Sequence, residues 1–302
     1  METRVKSCCI QHIAAHYRRD IFSRMDRELN CHFIFGEQLA GGSDITSLSR
    51  KMFRNFDLSP KNLFFLHRPF CWQTGVWKLL FRDYTHYFVQ GDICCVSTWL
   101  LALGIFCIPG KKLFFWTHGW YGKESRLRRM VKKFFFFFAD GFLLYGNYAR
   151  ELMIAEGFPM EKLFVIYNSL CYEEQRSLCD KLTPNRLFRD RFGNDHPVIL
   201  FVGRLTRTKR LDLIIDAMKV LASHGFFPNL ALIGDGEARE ELESRVRQED
   251  LSGRVFFFGA CYEESVLSEY LYNADVCVSP GNVGLTAIHA MTFGCPVITH
   301  DC

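Results

Sequence analysis

From Val198 to His300 the chain alternates short apolar runs with amphipathic stretches, without a break. VILFVG (198–203), NLALIG (229–234), RVFFFG (254–259), DVCVSP (275–280) and PVITH (296–300) read as buried strands. Between them LDLIIDAMKVLASHG (211–225), EAREELESRVRQEDL (237–251), EESVLSEYLYNA (263–274) and LTAIHAMTFG (285–294) carry helical spacing or helix-forming charge, several closed by glycine. Strands fed by helices in this order build a parallel sheet with helices on both faces.

The first half keeps the rhythm more loosely. HFIFG (32–36), THYFVQG (85–91), KLFFWTHG (112–119), GFLLYG (141–146) and KLFVIYN (162–168) are expected strands; ESRLRRMVKKFFFFFA (124–139) and NYARELMIAEG (147–157) are expected helices. Glu173 to Pro197 is charged, Pro-punctuated and aperiodic, which predicts a linker. The expected organisation is α/β: a Rossmann-like domain over 1–172, a linker over 173–197 and a second Rossmann-like domain over 198–302, facing each other across a cleft. Open sheets of this class bind ligands beyond the carboxyl ends of their strands, so the loops after strands are where chemistry is sought.

Composition narrows the classes. With 49% hydrophobic residues in 302, the chain can bury full cores, and a net charge of +4 argues against a bulk-charge nucleic-acid binder. The 13 cysteines include two adjacent pairs but no CxxC, which predicts free thiols in a reducing cytosol and no zinc site. The opening METRVKSCCIQHIAAHYRRDIF lacks the apolar run of a secretory leader. Ile93 to Pro109 is apolar enough to read either as a minimal membrane span or as a helix packed on a sheet; the turn signals bounding it favour the second.

Four stretches carry candidate chemistry. In VGRLTRTKRLD (202–212) a strand ends at Gly203, and Arg204 and Lys209 flank a loop that opens a helix. A guanidinium fork and a compact ammonium suit a diphosphate. With Arg207 and Arg210 also present, a solvated basic loop reads equally well. In PGNVGL (280–285) glycines at 281 and 284 precede a helix, which suits either an anion at backbone N–H groups or an ordinary turn. His289, one turn on, points either into that pocket or into the core. In FWTHGWYGKE (115–124), His118 at a strand's end, with Gly119 and Trp120 after it, is either a functional loop or a rigid aromatic one. Lys123 to Phe138 holds six Lys or Arg ahead of five Phe; a basic helix of this kind can lie on an anionic membrane, but five consecutive Phe cannot share one face, so some must be buried. No Asp-x-Asp pair, P-loop or G-x-S-x-G is present, and GDGEAR (234–239) is a weak dinucleotide signal.

Taken together and in order, VGRLTRTKRLDLIIDA, ALIGDG, RVFFFG, ADVCVSP and GLTAIHAMTFGCPVI resemble the retaining glycosyltransferases of family 4, which have the GT-B fold; THGWYGKE and VIYNS resemble that family's first-domain loop and domain-linking turn. The resemblance implies transfer of a sugar from a nucleotide-diphosphate sugar to a glycan or lipid-linked acceptor, with no metal or other cofactor. It gives Arg204 and Lys209 the departing diphosphate; Gly203, the backbone of Asn282, Val283, Gly284 and Leu285 and, by a single bond to the ribose, His289 the donor; His118 the transferred sugar; and Gly119 and Trp120 the acceptor side. Together with the basic-Phe helix it implies a cytoplasmic protein resting on the inner membrane face, and the low net charge argues against a nucleic-acid partner. Two departures stand out. The family has two Glu eight residues apart where this chain has Gly281 and His289, and its members continue past PVITH, so the second domain is expected to be incomplete. Those departures favour a second reading, a weak or inactive nucleotide-sugar-binding remnant.

Overall fold

The structure is a computed structural model; it describes residues 5–37, 47–66, 70–168 and 170–300. Ser169 of the VIYNS turn and Cys302 lie outside the described residues.

The chain divides into two units, 1–168 and 169–302. The first runs β1 (Ser7–Gln11), α1 (Arg19–Glu28), β2 (His32–Phe35), β3 (Phe56–Leu58), β4 (Asn62–Phe65), β5 (Phe70–Gln73), β6 (His86–Gln90), α2 (Val96–Cys107), β7 (Lys112–Thr117), α3 (Arg126–Phe137), β8 (Gly141–Leu144), α4 (Asn147–Ala155) and β9 (Leu163–Val165). Seven strands form one parallel sheet in the order β3-β2-β1-β6-β7-β8-β9, while β4 and β5 pair as an antiparallel hairpin. Alternate strand residues face opposite sides. Phe115 and Phe142 join Leu101 and Ile105 of α2 and Phe135 and Phe136 of α3 on one side; Phe33, Phe35 and Trp116 join Phe22 and Met25 of α1 on the other.

The second unit runs α5 (Tyr172–Cys179), α6 (Leu187–Phe192), β10 (Val198–Val202), α7 (Asp212–Ser223), β11 (Asn229–Ile233), α8 (Arg239–Gln248), β12 (Val255–Gly259), α9 (Glu264–Asn273), β13 (Val276–Ser279), α10 (Thr286–Thr292) and β14 (Val297–Thr299). Its parallel sheet has the order β12-β11-β10-β13-β14. Ile199, Phe201, Leu230 and Leu232 pack with α7 and α8; Leu200, Ala231, Ile233 and Cys277 pack with α6, α9 and α10.

Residues 173–197 are therefore not a linker. They contain two short helices built into the second unit: Phe188 is 5% exposed, with Leu178, Leu182, Leu187 and Phe192 around the same core. Charge on the outer faces hid the period, because each helix is too short to display one. The Ile93–Pro109 run forms α2, a 12-residue helix whose Leu101, Ala102 and Ile105 are buried while Leu100, Leu103 and Phe106 are exposed. Among the described residues no helix is long and apolar enough to cross a membrane.

Candidate active site

In the second unit the strand order reverses beside β10: β11 and β12 lie on one side of it, β13 and β14 on the other. Loops leaving neighbouring strands diverge at such a point and leave a crevice at their carboxyl ends. The loops after β10 and β13 are those that the sequence singled out, and their strands are adjacent.

Backbone fixes the first loop. The Gly203 N–H donates to the Ile233 carbonyl at 2.9 Å, the Leu205 N–H to the Asp235 carbonyl at 2.9 Å, and the Ala238 N–H to the Leu205 carbonyl at 2.9 Å. The GDG triplet serves this approach: a Cβ on Gly236, whose φ is +155°, would sit 2.6 Å from the Leu205 carbonyl oxygen. Four cations follow, and the structure sorts them. Arg207 pairs with Glu241 at 3.1 Å and Arg210 with Asp212 at 3.1 Å. Arg204 is exposed and has no ion pair among the described residues. Lys209 is half-buried; its Nζ donates to the Asn282 carbonyl and, at 3.4 Å, to that of Val283. Burial, and then the charge of Arg204, pull the Lys209 pKa below the usual lysine range. The two cations thus share one electrostatic environment, and an ammonium with two of its three donors on carbonyls keeps one for a ligand.

The second loop is pressed onto the first. The Asn282 N–H donates to the Thr208 carbonyl at 3.1 Å, so it is not the free anion donor that was expected. A Cβ at Gly281 would lie 2.6 Å from the Lys209 carbonyl carbon and would also meet the Thr208 oxygen, so this backbone admits no side chain there without moving. Gly284 has a φ of +64°, and its Cβ position is 3.8 Å from Lys209 Nζ. Thr286 Oγ1 ties the start of α10 to the Val202 carbonyl at 2.9 Å. Leu285 is the residue that leads into that helix.

His289 is 8% exposed, and its Nε2 lies 2.6 Å from Glu264 Oε1. The same carboxylate oxygen accepts from Gln175 Nε2 at 2.9 Å. Of the two sequence readings, the core-facing one fits: Nε2 is engaged by α9. Glu264 and Gln175 lay outside the sequence reading because they reach this place from α9 and α5, with no motif linking them to residue 289.

In the first unit the loop after β7 carries His118. It is open to the surface, with its ring 4.5 Å from that of Tyr145 and 6.0 Å from that of Tyr121. Partial burial, then the charges of Arg18 and Lys132, hold its pKa below the usual histidine range. Gly119 has a φ of +65° and leaves no room for a side chain against Leu144 and Met153. Trp120 corrects the expectation: at 3% exposure it is a core residue, edge-on to Phe136 and tilted against Phe158, and cannot present its ring to an acceptor. Beneath the loop, the buried Lys132 pairs with Glu124 at 2.7 Å and lies 4.8 Å from the centre of the Trp120 ring. Arg18 was not singled out by the sequence reading. Its guanidinium donates to Gln11 Oε1 at 2.9 Å and to the Tyr145 hydroxyl, and lies 4.8 Å from the centre of the Trp116 ring. SCCIQ is too weak a strand signal to mark the HYRR that follows as lying at a strand's end.

The chain superposes on solved structures along nearly its whole length. Against HepE of Anabaena, crystallised in complex with UDP, the TM-score is 0.70 at 17% identity, covering 98% of this chain and 80% of that one. Against the lipopolysaccharide outer core galactosyltransferase WaaB it is 0.65 at 16% identity, covering 98% and 80%. The fold is GT-B. Residues 185–302 also match the family described as Glycosyl transferases group 1. An uncharacterized glycosyltransferase of Methanocaldococcus jannaschii is 34% identical over 149 residues, covering 46% of this chain and 36% of the relative. The alpha-D-kanosaminyltransferase of Streptomyces kanamyceticus is 30% identical over 117 residues, covering 37% and 30%. The chain thus spans about a third of the length of the curated relatives it matches. The family match begins at Asn185, inside the stretch first read as a linker.

Proposed function

We propose that the protein is a glycosyltransferase that moves a sugar from a nucleotide-diphosphate donor to a glycan or lipid-linked acceptor, with retention of configuration. The observation that carries this is the sorting of cations after β10: among the described residues Arg207 and Arg210 are neutralised by carboxylates, whereas Arg204 and Lys209 are not, at the point where the strand order reverses. The UDP complex of HepE and the family match over 185–302 support the donor class. As the sugar–phosphate bond breaks, negative charge builds on the diphosphate; a guanidinium and an ammonium already in place stabilise it without reorganising. No metal is needed for this step. His118, whose partial burial and neighbouring cations Arg18 and Lys132 lower its pKa, is the proposed contact to the transferred sugar.

The acceptor and the membrane belong to the same proposal. Leu127, Met130, Val131, Phe134 and Phe137 form an exposed apolar stripe along α3, flanked by Arg126 and Arg128, while Phe135, Phe136 and Phe138 are buried. Leu100, Leu103 and Phe106 are exposed on α2, and Phe106 meets Phe137 ring to ring at 5.6 Å. Such a face, with cations at its rim, suits an anionic leaflet that presents a lipid-linked acceptor at the cytoplasmic side.

One observation favours the second reading, binding without efficient turnover: Gly281 has no side chain for sugar hydroxyls, and His289 Nε2 is committed to Glu264. Kinetics with UDP- and GDP-sugars separate the two. Arg204→Ala and Lys209→Ala should each lower kcat by about 10²–10³, the cost of one charge-stabilising donor. Wild-type rates in both variants would remove the leaving-group role; donor binding without transfer in the wild type would select the second reading.

A further inference from the structure

The first unit reverses its strand order beside β1, which lies between β2 and β6. His12 follows β1, Cys95 follows β6 as the N-cap of α2, and Cys71 comes from the β4–β5 hairpin. Their exposures are 6%, 0% and 3%, and the imidazole and two thiol ligand atoms lie within 4.8 Å of one another. We propose that His12, Cys71 and Cys95 are the protein ligands of a zinc ion beside this reversal of strand order, with a fourth position supplied from outside the triad.

Two independent features support a built site. The first is the buried imidazole: His12 Nε2 has no conventional hydrogen-bond partner among the described residues, and the ring interacts with the Cys95 thiol. Folds seldom leave such an atom without a reason. The second is the clamping of each ligand's backbone. The His12 N–H donates to Gln90 Oε1 at 3.1 Å and its carbonyl accepts from Asn62 Nδ2 at 2.8 Å. Cys71 and Cys95 face each other in a parallel bridge, with the Cys71 N–H on the Cys94 carbonyl at 3.0 Å. Ser97 Oγ, held by the Gln73 N–H at 3.0 Å, lies 3.3 Å from Cys95 Sγ and can donate to a thiolate there.

The chemistry selects the ion. Zinc takes thiolate sulfur at about 2.3 Å and imidazole nitrogen at about 2.0–2.1 Å, so donors this close reach one ion by side-chain rotation. Two thiolates and a neutral imidazole around Zn²⁺ carry no net charge, which suits a buried place. On binding, each thiol gives its proton to solvent and forms a Zn–S bond, His12 forms a Zn–N bond, and no electron is exchanged. The ion would tie the hairpin to β1 and α2. The site lies in the first unit and stands whether or not the proposed transfer reaction is correct. The sequence could not announce it, since ligands at 12, 71 and 95 form no spacing motif.

The test uses the full chain, reduced, stripped with chelator and titrated with Zn²⁺ or Co²⁺. One ion per chain is expected, with thiolate-to-cobalt charge transfer and tetrahedral visible bands for Co²⁺, and a shell of two sulfurs and at least one nitrogen by X-ray absorption of the zinc form. Cys71→Ser and Cys95→Ser should lose the charge-transfer band and stoichiometric binding, while Cys277→Ser, a buried cysteine of the second unit, keeps both. Because a buried variant can misfold, the wild type decides by itself. No stoichiometric zinc with all thiols reduced or a shell without sulfur would each overturn the site, as would wild-type affinity in Cys71→Ser.

Discussion

At residue 281 neighbouring backbone stands where a side chain would begin. The Thr208 and Lys209 main chain occupies the place of a Cβ, so Gly281→Ala should push the two loops apart. Overpacking of this kind costs about 1–3 kcal/mol, and donor affinity should fall with the thermal midpoint, read by melting and calorimetry. Unchanged values for both would show that the loops are not zipped as described. A second residue-scale test concerns Lys132. Its ion pair with Glu124 is buried, with side chains 8% and 4% exposed, so Lys132→Met strands a carboxylate and should cost about 3–5 kcal/mol, with part recovered in Lys132→Met/Glu124→Gln. The lysine's charge is also one cause of the low His118 pKa, after burial and Arg18. In the folded wild type His118 resists protonation, so it binds fewer protons than the unfolded chain just below pH 6.5, and stability falls as pH drops through that window. In the Lys132 variants His118 should titrate nearer its ordinary value, followed by the imidazole proton shift in NMR.

Elements were legible in proportion to how strongly one face repeats. Each strand and helix read from 198 onward is present, because a strand buried on both faces leaves a short apolar block and an amphipathic helix leaves a period. The first unit was harder: SCCIQ forms β1, yet a five-residue block of Ser, Cys and Gln has no strong strand signature. The hairpin of β4 and β5 has partly exposed strands and no Asn-Gly turn to mark it. For α3 the arithmetic of five Phe held: three are buried, and Phe134 and Phe137 are 61% and 63% exposed. If that stripe meets lipid, Phe134→Ser/Phe137→Ser should abolish sedimentation with vesicles containing anionic lipid and leave the folding stability within about 0.5 kcal/mol, the usual range for surface changes. Retained vesicle binding would rule the face out.

For the whole molecule, the boundary follows burial and not composition. Residues 173–197 look like a connector by charge, yet Phe188, Leu178 and Leu182 complete the second unit's core. A chain beginning at residue 169 should therefore melt cooperatively, whereas one beginning at 198 should expose that core and aggregate; circular dichroism and light scattering would show the reverse if the helices were ornamental. The candidate site was legible where charge and glycine sit in consecutive residues, as at Arg204 and Lys209. It was hidden where distant elements converge, as at His289 with Glu264 and Gln175, because pairwise proximity across a fold leaves no local pattern.

The loop bearing Arg204 and Lys209 hangs from β10, which has strands on both sides. Amides of a mid-sheet strand exchange with deuterium only when the surrounding structure opens, among the slowest events in a domain. The two cations are thereby moored to the last part of this half to let go, and partial melting that frees the rim helices would leave their spacing intact.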